Sequence, residues 1–269
     1  MAENILEVIA DKTRIRVEDK KAHLPLEELK KMTYEKIHDS RYGHPSFYNA
    51  LKKPGMSYIC EVKKASPSKG IIAEHFPYMD IAKEYEAAGA SAISVLTEPS
   101  YFHGSYRYLQ EIAEEVEIPV LRKDFIIDEY MIYEAAFLGA SAILLIVSLL
   151  GDDELRRYID LAEELGMDAL VEAHNEVEIH RGVSQGAKII GVNNRDLKTF
   201  TVDPMNSVKL RKTAPSEVLF VSESGIKTAD DIALLRENSI DAVLIGETLM
   251  RAKDKKAMLE ELNGGAINR

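Results

Sequence analysis

The sequence holds one cysteine, no tryptophan and no long apolar run. The lone Cys60 excludes an internal disulfide framework and a multi-cysteine zinc cluster, and it fits a reduced setting. The longest apolar stretch begins at Ala142, breaks at Ser148 and resumes for Leu149-Leu150. That is far short of the roughly 20 residues that cross a bilayer. The opening Met1-Ala2-Glu3-Asn4-Ile5 has neither the basic start nor the apolar core of a secretion signal. A cytoplasmic protein with no membrane partner is expected. Positive charge is scarce too: 34 Lys and Arg stand against 45 Asp and Glu, a net charge of −11. Such a chain repels phosphate backbones, so no nucleic-acid partner is expected. A few local cations still suffice to hold a small anion in one cleft. The seven histidines show no His-Glu-x-x-His spacing and are read as non-ligands, so no metal site is expected. No Gly-x-x-x-x-Gly-Lys nucleotide loop is present.

What is present is an ordinary globular composition, 46% hydrophobic and 29% charged over 269 residues. That length suits one (β/α)₈ barrel and is enough to bury a core. Residues 1–55 are charged and helical in spacing: Ile5, Val8, Ile9, Lys12 and Ile15 in one helix, Leu26, Leu29 and Ile37 in a second. Pro54-Gly55 closes this part with a turn. It is read as a helical extension packed on the main domain.

From residue 56 the pattern changes. Short β-branched runs at 58–62, 92–96, 119–121, 142–147, 169–172, 188–192, 218–221 and 242–245 alternate with amphipathic stretches such as 79–88, 128–138, 152–165 and 228–237. Thr228 with Asp231 three residues on resembles an N-terminal capping arrangement. The runs start about 26 residues apart, room for a strand, a helix and two loops. Alternating βα units imply a parallel sheet, and eight of them imply an α/β fold of the closed (β/α)₈ TIM-barrel type. Ala88-Gly89-Ala90-Ser91-Ala92-Ile93 recurs as Leu138-Gly139-Ala140-Ser141-Ala142-Ile143, with a weaker copy at Gln185-Gly186-Ala187. Each copy places a glycine at a helix end before a strand. A doubly wound open sheet is the alternative, but no Gly-rich dinucleotide turn follows the first strand. Residues 1–269 are therefore read as one barrel domain, with 1–55 the extension and 56–269 the barrel.

In a barrel, active groups sit at the C-terminal strand ends. Glu61 and Lys63 share one face of the first strand. A charge in the barrel mouth or under the helices is costly unless paired, so a function is expected for this pair. Cys60 alternates with them and is expected to face the helix layer. Lys123 shares its face with Leu121, whereas Arg122 and Asp124 lie on the other; a solvated strand end is the alternative reading for this segment. Glu172 closes an apolar strand and is a base candidate. Asn193 and Arg195 share parity after the sixth run. Glu223-Ser224-Gly225 and Gly246-Glu247 stand where the last two strands pass to helices, which together suggests a phosphate site.

The ordered motifs resemble one family over nearly the whole chain. They are Glu61-Val-Lys63-Lys-Ala-Ser66-Pro67-Ser68, Ser94-Val-Leu-Thr97-Glu98 with Phe102, Lys123-Asp124-Phe125, Leu144-Leu-Ile-Val147, Glu172, Asn193-Asn-Arg195-Asp196-Leu197, Glu223-Ser224-Gly225-Ile226, and Gly246-Glu247 with Leu249-Met250-Arg251. In the extension Asp19-Lys20-Lys21 and Leu24-Pro25-Leu26 fit as well. The family is indole-3-glycerol phosphate synthase. The resemblance implies a (β/α)₈ fold, no metal or organic cofactor, and a phosphorylated small-molecule substrate. It implies ring closure of 1-(2-carboxyphenylamino)-1-deoxyribulose 5-phosphate with loss of carbon dioxide and water, a step of tryptophan synthesis.

The same resemblance assigns roles. Lys123 is implied as general acid at the ketone, Glu172 as acid/base in dehydration, and Lys63 as partner of the substrate carboxylate and then of the leaving hydroxide. Glu61 holds the lysines by opposite charge, and Asn193 binds polar substrate groups. Phe102, Phe125 and Leu144 wall the aromatic ring. Ser224, Gly225, Gly246 and Glu247 cradle the phosphate, with Ser66 and Arg195 nearby and Glu223 in the polar mouth. Some family members carry a small residue where this chain has Glu247, whose side chain is expected to turn away from the phosphate. The segment from Ser66 to Gly70 is read as a loop that closes over substrate. A monomer or weak homodimer is expected. Two alternatives are a Schiff-base sugar-phosphate enzyme using Lys63 or Lys123, and a non-catalytic scaffold, which has no need of costly charges in a barrel mouth.

Overall fold

A computed structural model describes residues 5–39, 43–196 and 200–265. Leu197 of the sixth motif lies outside them. Helices α1 (Ile5–His23), α2 (Leu26–Ile37) and α3 (Phe47–Leu51) come first. Strand β1 (Ser57–Val62) is followed by a short antiparallel hairpin of β2 (Ala65–Ser66) and β3 (Gly70–Ile71), the segment read as a closing loop. Strands and helices then alternate: α4 (Tyr78–Ala87), β4 (Ala92–Leu96), α5 (Tyr106–Glu115), β5 (Val120–Lys123), α6 (Glu129–Leu138), β6 (Ala142–Ile146), α7 (Asp152–Glu164), β7 (Asp168–Ala173) and α8 (Glu176–Ser184). The order continues with β8 (Ile189–Asn193), α9 (Met205–Arg211), β9 (Leu219–Glu223), α10 (Ala229–Glu237), β10 (Ala242–Ile245), α11 (Glu247–Arg251) and α12 (Lys255–Leu262).

Among the described residues eight parallel strands close on themselves, with β1 bonded to β4 on one side and β10 on the other. The chain therefore forms a (β/α)₈ barrel. Strand period two divides its apolar residues into two cores. Ile59, Leu121, Leu144, Leu170 and Leu244 fill the barrel interior. Cys60, Ile93, Ile143, Val171 and Val243 pack under the helices, so Cys60 faces the helix layer and burial pushes its thiol pKa well up. The three repeat glycines, Gly89, Gly139 and Gly186, all hold positive φ (91°, 96° and 95°) at the turn into a strand, where a side chain is strained. Thr228 and Asp231 form the expected reciprocal cap of α10.

The N-terminal helices bracket the barrel. Phe47 and Leu51 of α3 plug its lower end, and Ser57 of β1 donates to the Leu51 carbonyl at 3.2 Å. Helix α2 packs on α6, where Thr33 donates to the Tyr133 carbonyl at 3.3 Å. Helix α1 reaches the opposite end. Its buried stripe is Leu6, Ile9, Ala10, Thr13 and Val17. The face expected from Lys12 and Ile15 is shifted: Ile15 is 71% exposed, and Lys12 lies over the Tyr101 ring at 4.6 Å. Thr13 is small enough to pack where the apolar pattern lapses.

Candidate active site

The C-terminal strand ends open into a cavity of about 680 Å³. The expected site residues from β1, β5, β7, β8 and β9 all line it: Glu61 and Lys63, Lys123, Glu172, Asn193, and Glu223. Phe102, Phe125 and Leu144 make one wall. The two phenylalanine rings stand 6.1 Å apart at 40°. Ser66, Arg195, Ser224, Gly225, Gly246 and Glu247 line it too. The topology thus brings every one of these residues to one mouth.

Three carboxylates share two ammonium groups in this mouth. Lys123 Nζ lies 3.5 Å from Glu223 Oε2 and 3.7 Å from Glu172 Oε2. Lys63 Nζ is bonded to Glu61 Oε1. Burial opposes the charge on Lys123, but Glu223, Glu172 and Glu61 outweigh it and hold the ammonium well above the usual lysine range. The carboxylates then diverge. Burial raises the Glu172 carboxyl, yet Lys123, His174 and Asn193 bring it down to about 2. Glu223 is pushed up to about 8 by burial, with Glu172 and Glu61 adding repulsion that Lys123 only partly offsets. Neighbouring acids driven apart in this way provide one ionised base and one proton-bearing group.

Glycines make room for these groups. A Cβ on Gly246 would overlap Glu61 Oε1 and lie 2.7 Å from Lys63 Nζ. A Cβ on Gly191 would overlap Glu223 Oε1 and lie 3.2 Å from Leu170 Cδ1. At the β9 end Ser224 and Gly225 hold φ of 68° and 85°, so the chain turns sharply there with its backbone facing the cavity. Thr248 donates to the Ile226 carbonyl at 2.8 Å and ties the β10 end to this turn. Glu247 pairs with Arg251 at 3.1 Å and with Lys69 at 3.8 Å, so its carboxylate is held by neighbouring cations at the rim. Arg195 Nη1 donates to the Phe200 carbonyl at 3.3 Å, and its backbone N–H to Asn193 Oδ1 at 3.0 Å.

The back of β5 is not a solvated strand end. Arg122 is 1% exposed and donates to Glu134 at 2.8 Å and to the Met131 carbonyl at 2.8 Å. Asp124 accepts from Thr97 at 2.6 Å and from Arg16 of α1 at 2.9 Å. Lys20 of α1 bonds Glu134. Burial works against the Asp124 charge, but Arg16 and Arg122 hold its carboxyl below the usual range. Lys123 is thus clamped between two residues tied to the first helix.

Several further residues, some of them inside the quoted motifs but given no role of their own by the sequence, contribute to the site. Ile5, Leu6 and Ile9 of α1 also line the cavity, as do Lys69, Lys227 and Arg251. Glu98, buried, accepts N–H bonds from Ser100, Tyr101 and Phe102 at 2.6–3.0 Å and so fixes the loop that presents Phe102. His174 stands behind Glu172. Among the described residues no group of three His, Cys, Asp or Glu is placed to hold a metal ion. No helix among them is long and apolar enough to cross a membrane.

The profile of the indole-3-glycerol phosphate synthase family matches residues 6–262. The chain belongs to the indole-3-glycerol phosphate synthase family. An indole-3-glycerol phosphate synthase of Ruminiclostridium cellulolyticum is 53% identical over 262 residues, covering 97% of this chain and 100% of that protein. One of Endomicrobium trichonymphae is 53% identical over 258 residues, covering 96% and 99%. More distant solved structures share the fold alone. The 3-hexulose-6-phosphate synthase of Salmonella typhimurium has TM-score 0.64 at 14% identity, over 78% of this chain and 97% of that one. The thiamine phosphate pyrophosphorylase of Pyrococcus furiosus has TM-score 0.58 at 16% identity, over 81% and 96%. Family membership thus rests on relatives of about full length, not on barrel shape.

Proposed function

We propose that this chain is a carboxy-lyase that closes 1-(2-carboxyphenylamino)-1-deoxyribulose 5-phosphate to indole-3-glycerol phosphate in tryptophan biosynthesis. The observation that carries the reading is the convergence of Lys63, Lys123 and Glu172 on one cavity between an aromatic wall and the β9 and β10 turns. The ring carbon bearing the carboxylate attacks the ketone carbon. Lys123, held charged by its carboxylates, stabilises the developing oxyanion and gives it a proton. The carbon–carboxylate bond breaks, carbon dioxide leaves, and the released pair restores the ring. Glu172 takes the proton from the neighbouring carbon as the hydroxyl leaves with a proton from Lys63 as water. One proton is taken up per turnover.

Lys63 faces the substrate carboxylate until it departs, with Glu61 holding the ammonium in place. Asn193 orients polar substrate groups. Phe102, Phe125 and Leu144 enclose the ring. Backbone N–H groups around Ser224, Gly225, Gly246 and Glu247 take the phosphate, with Ser66 and Arg195 in support and Glu223 completing the polar mouth. No organic cofactor or metal enters this scheme. A cytoplasmic monomer or weak homodimer, with one barrel domain and its helical extension, belongs to the same reading.

The test is direct because the chain has no tryptophan and its own emission comes from 12 tyrosines. Substrate added with a chelator should give rising indole emission and one carbon dioxide per indole. No emission from folded protein overturns the reading. Inactivation by borohydride in the presence of substrate would favour the Schiff-base alternative.

A further inference from the structure

Glu172 opens on the catalytic cavity, but its far side meets His174, with Nε2 3.2 Å from Glu172 Oε1. The other ring nitrogen, Nδ1, lies 3.1 Å from Glu178 Oε2 in the first turn of α8. Glu178 is itself fixed, because the His174 backbone N–H donates to Oε2 at 2.8 Å and Asn175 Nδ2 to Oε1 at 2.8 Å. His174 and Glu178 line a second cavity of about 580 Å³ that adjoins the first at Leu6, Asn193 and Arg195 and does not include Glu172 in its lining. The carboxylate–imidazole–carboxylate row therefore crosses the wall between two cavities, and His174 stands outside the one that takes substrate.

We propose that His174, braced by Glu178, is a positioning residue that aims Glu172 and keeps its carboxylate ionised between the ring closure and the dehydration. This rests on the reading of Glu172 as the base of the dehydration. An imidazole between two carboxylates is held in its charged form. Burial alone would lower the His174 pKa, yet Glu172 and Glu178 raise it to about 10, so both ring nitrogens carry a proton near neutral pH. The other charged groups facing Glu172 are Lys123 from β5 and, beyond it, Glu223 from β9. Those around the second cavity are Glu7, Arg195, Asp196 and Asp203. Of all these, Lys123 is the one that gives a proton to the ketone in the proposed scheme. Once it has done so, His174 is the cation left beside Glu172, which must still be ionised for the next step.

The test is the pH dependence of single-turnover indole formation in His174→Gln and Glu178→Gln. Removing the cation raises the Glu172 pKa, so the base is lost at higher pH. In His174→Gln the ratio of the rate at about pH 5 to that at about pH 7.5 should fall several-fold against the parent, with KM within about twofold. Glu178→Gln should shift the ratio the same way by less, and it carries the test if His174→Gln does not fold. A pH profile that superimposes on the parent's overturns the proposal, whether or not the melting temperature drops. Glu172→Gln separates the two readings. If it retains parent turnover, the base assignment itself fails; if it is inactive while the His174→Gln profile is unchanged, only the positioning role fails.

Discussion

Glu223 Oε2 lies 3.5 Å from Lys123 Nζ, inside a mouth that is closed to bulk water on its barrel side. The pair is not a simple salt bridge. Glu172 competes for the same ammonium and Glu61 stands near enough to repel. Glu223 therefore holds a proton to a higher pH than its neighbour, and the site carries a charge it can redistribute when an anionic substrate enters.

This has a consequence for stability. Glu223 is raised from an ordinary 4.5 to about 8. A carboxyl raised on folding contributes stability that is complete below its unfolded pKa and lost as pH rises through the folded one. The parent's melting temperature should therefore carry a decline between about pH 4.5 and 8 that Glu223→Gln lacks. Thermal unfolding at both ends of that window checks it, and equal slopes for the two proteins would count against it.

Gly246 is demanded by space, not by backbone conformation, because its φ is −113°. Gly246→Ala drives a methyl into Glu61 Oε1 and Lys63 Nζ. Those are side-chain ends that move aside, so the fold should lose only about 1–3 kcal/mol. The displaced lysine should lower kcat/KM by about tenfold or more. Steady-state kinetics beside urea unfolding decide it, and unchanged kinetics would refute the spacing argument.

Behind β5, Asp124→Ala would leave Arg122 and Arg16 facing each other without their shared carboxylate. Breaking such a buried pair costs about 3–5 kcal/mol. Denaturant unfolding should show that loss. A change below about 1 kcal/mol would mean that the network contributes little.

Glu98 bears on substrate affinity. Replacing it by Gln weakens three N–H contacts that shape the loop carrying Phe102. KM should rise several-fold while kcat falls by less, since in the proposed reaction Phe102 walls the ring and does not touch the reacting atoms. A loss in kcat alone would place the effect elsewhere.

The barrel was legible because fully buried parallel strands read as short apolar runs broken by helical stretches. Parity put Glu61 and Lys63 on one face of β1 and Cys60 on the other, but it left open whether the charged face was the mouth. The same parity set Arg122 and Asp124 on the back of β5, but their environment was not readable. Arg16, which donates to Asp124, and Lys20, which bonds the Glu134 that Arg122 also pairs with, lie more than 100 residues upstream, and nothing local marks those contacts. The inner face of α1 was misjudged at Ile15 because Thr13, a polar residue, takes a buried place while an isoleucine stays in water. His174 shares parity with Glu172 and sits two residues on, but a lone histidine without ligand spacing marks no role by itself. The phosphate-side turns were readable only as pairs, since a single glycine at a strand end is an ordinary turn residue.

In the proposed reaction Lys123 is the acid at the ketone. The most direct measurement is single-turnover indole emission of Lys123→Ala against the parent. With the ammonium gone, Glu223 readily keeps its proton, so the variant should still unfold in one cooperative transition. The rate should fall about a thousandfold. A folded Lys123→Ala protein that forms indole within about threefold of the parent rate would contradict it.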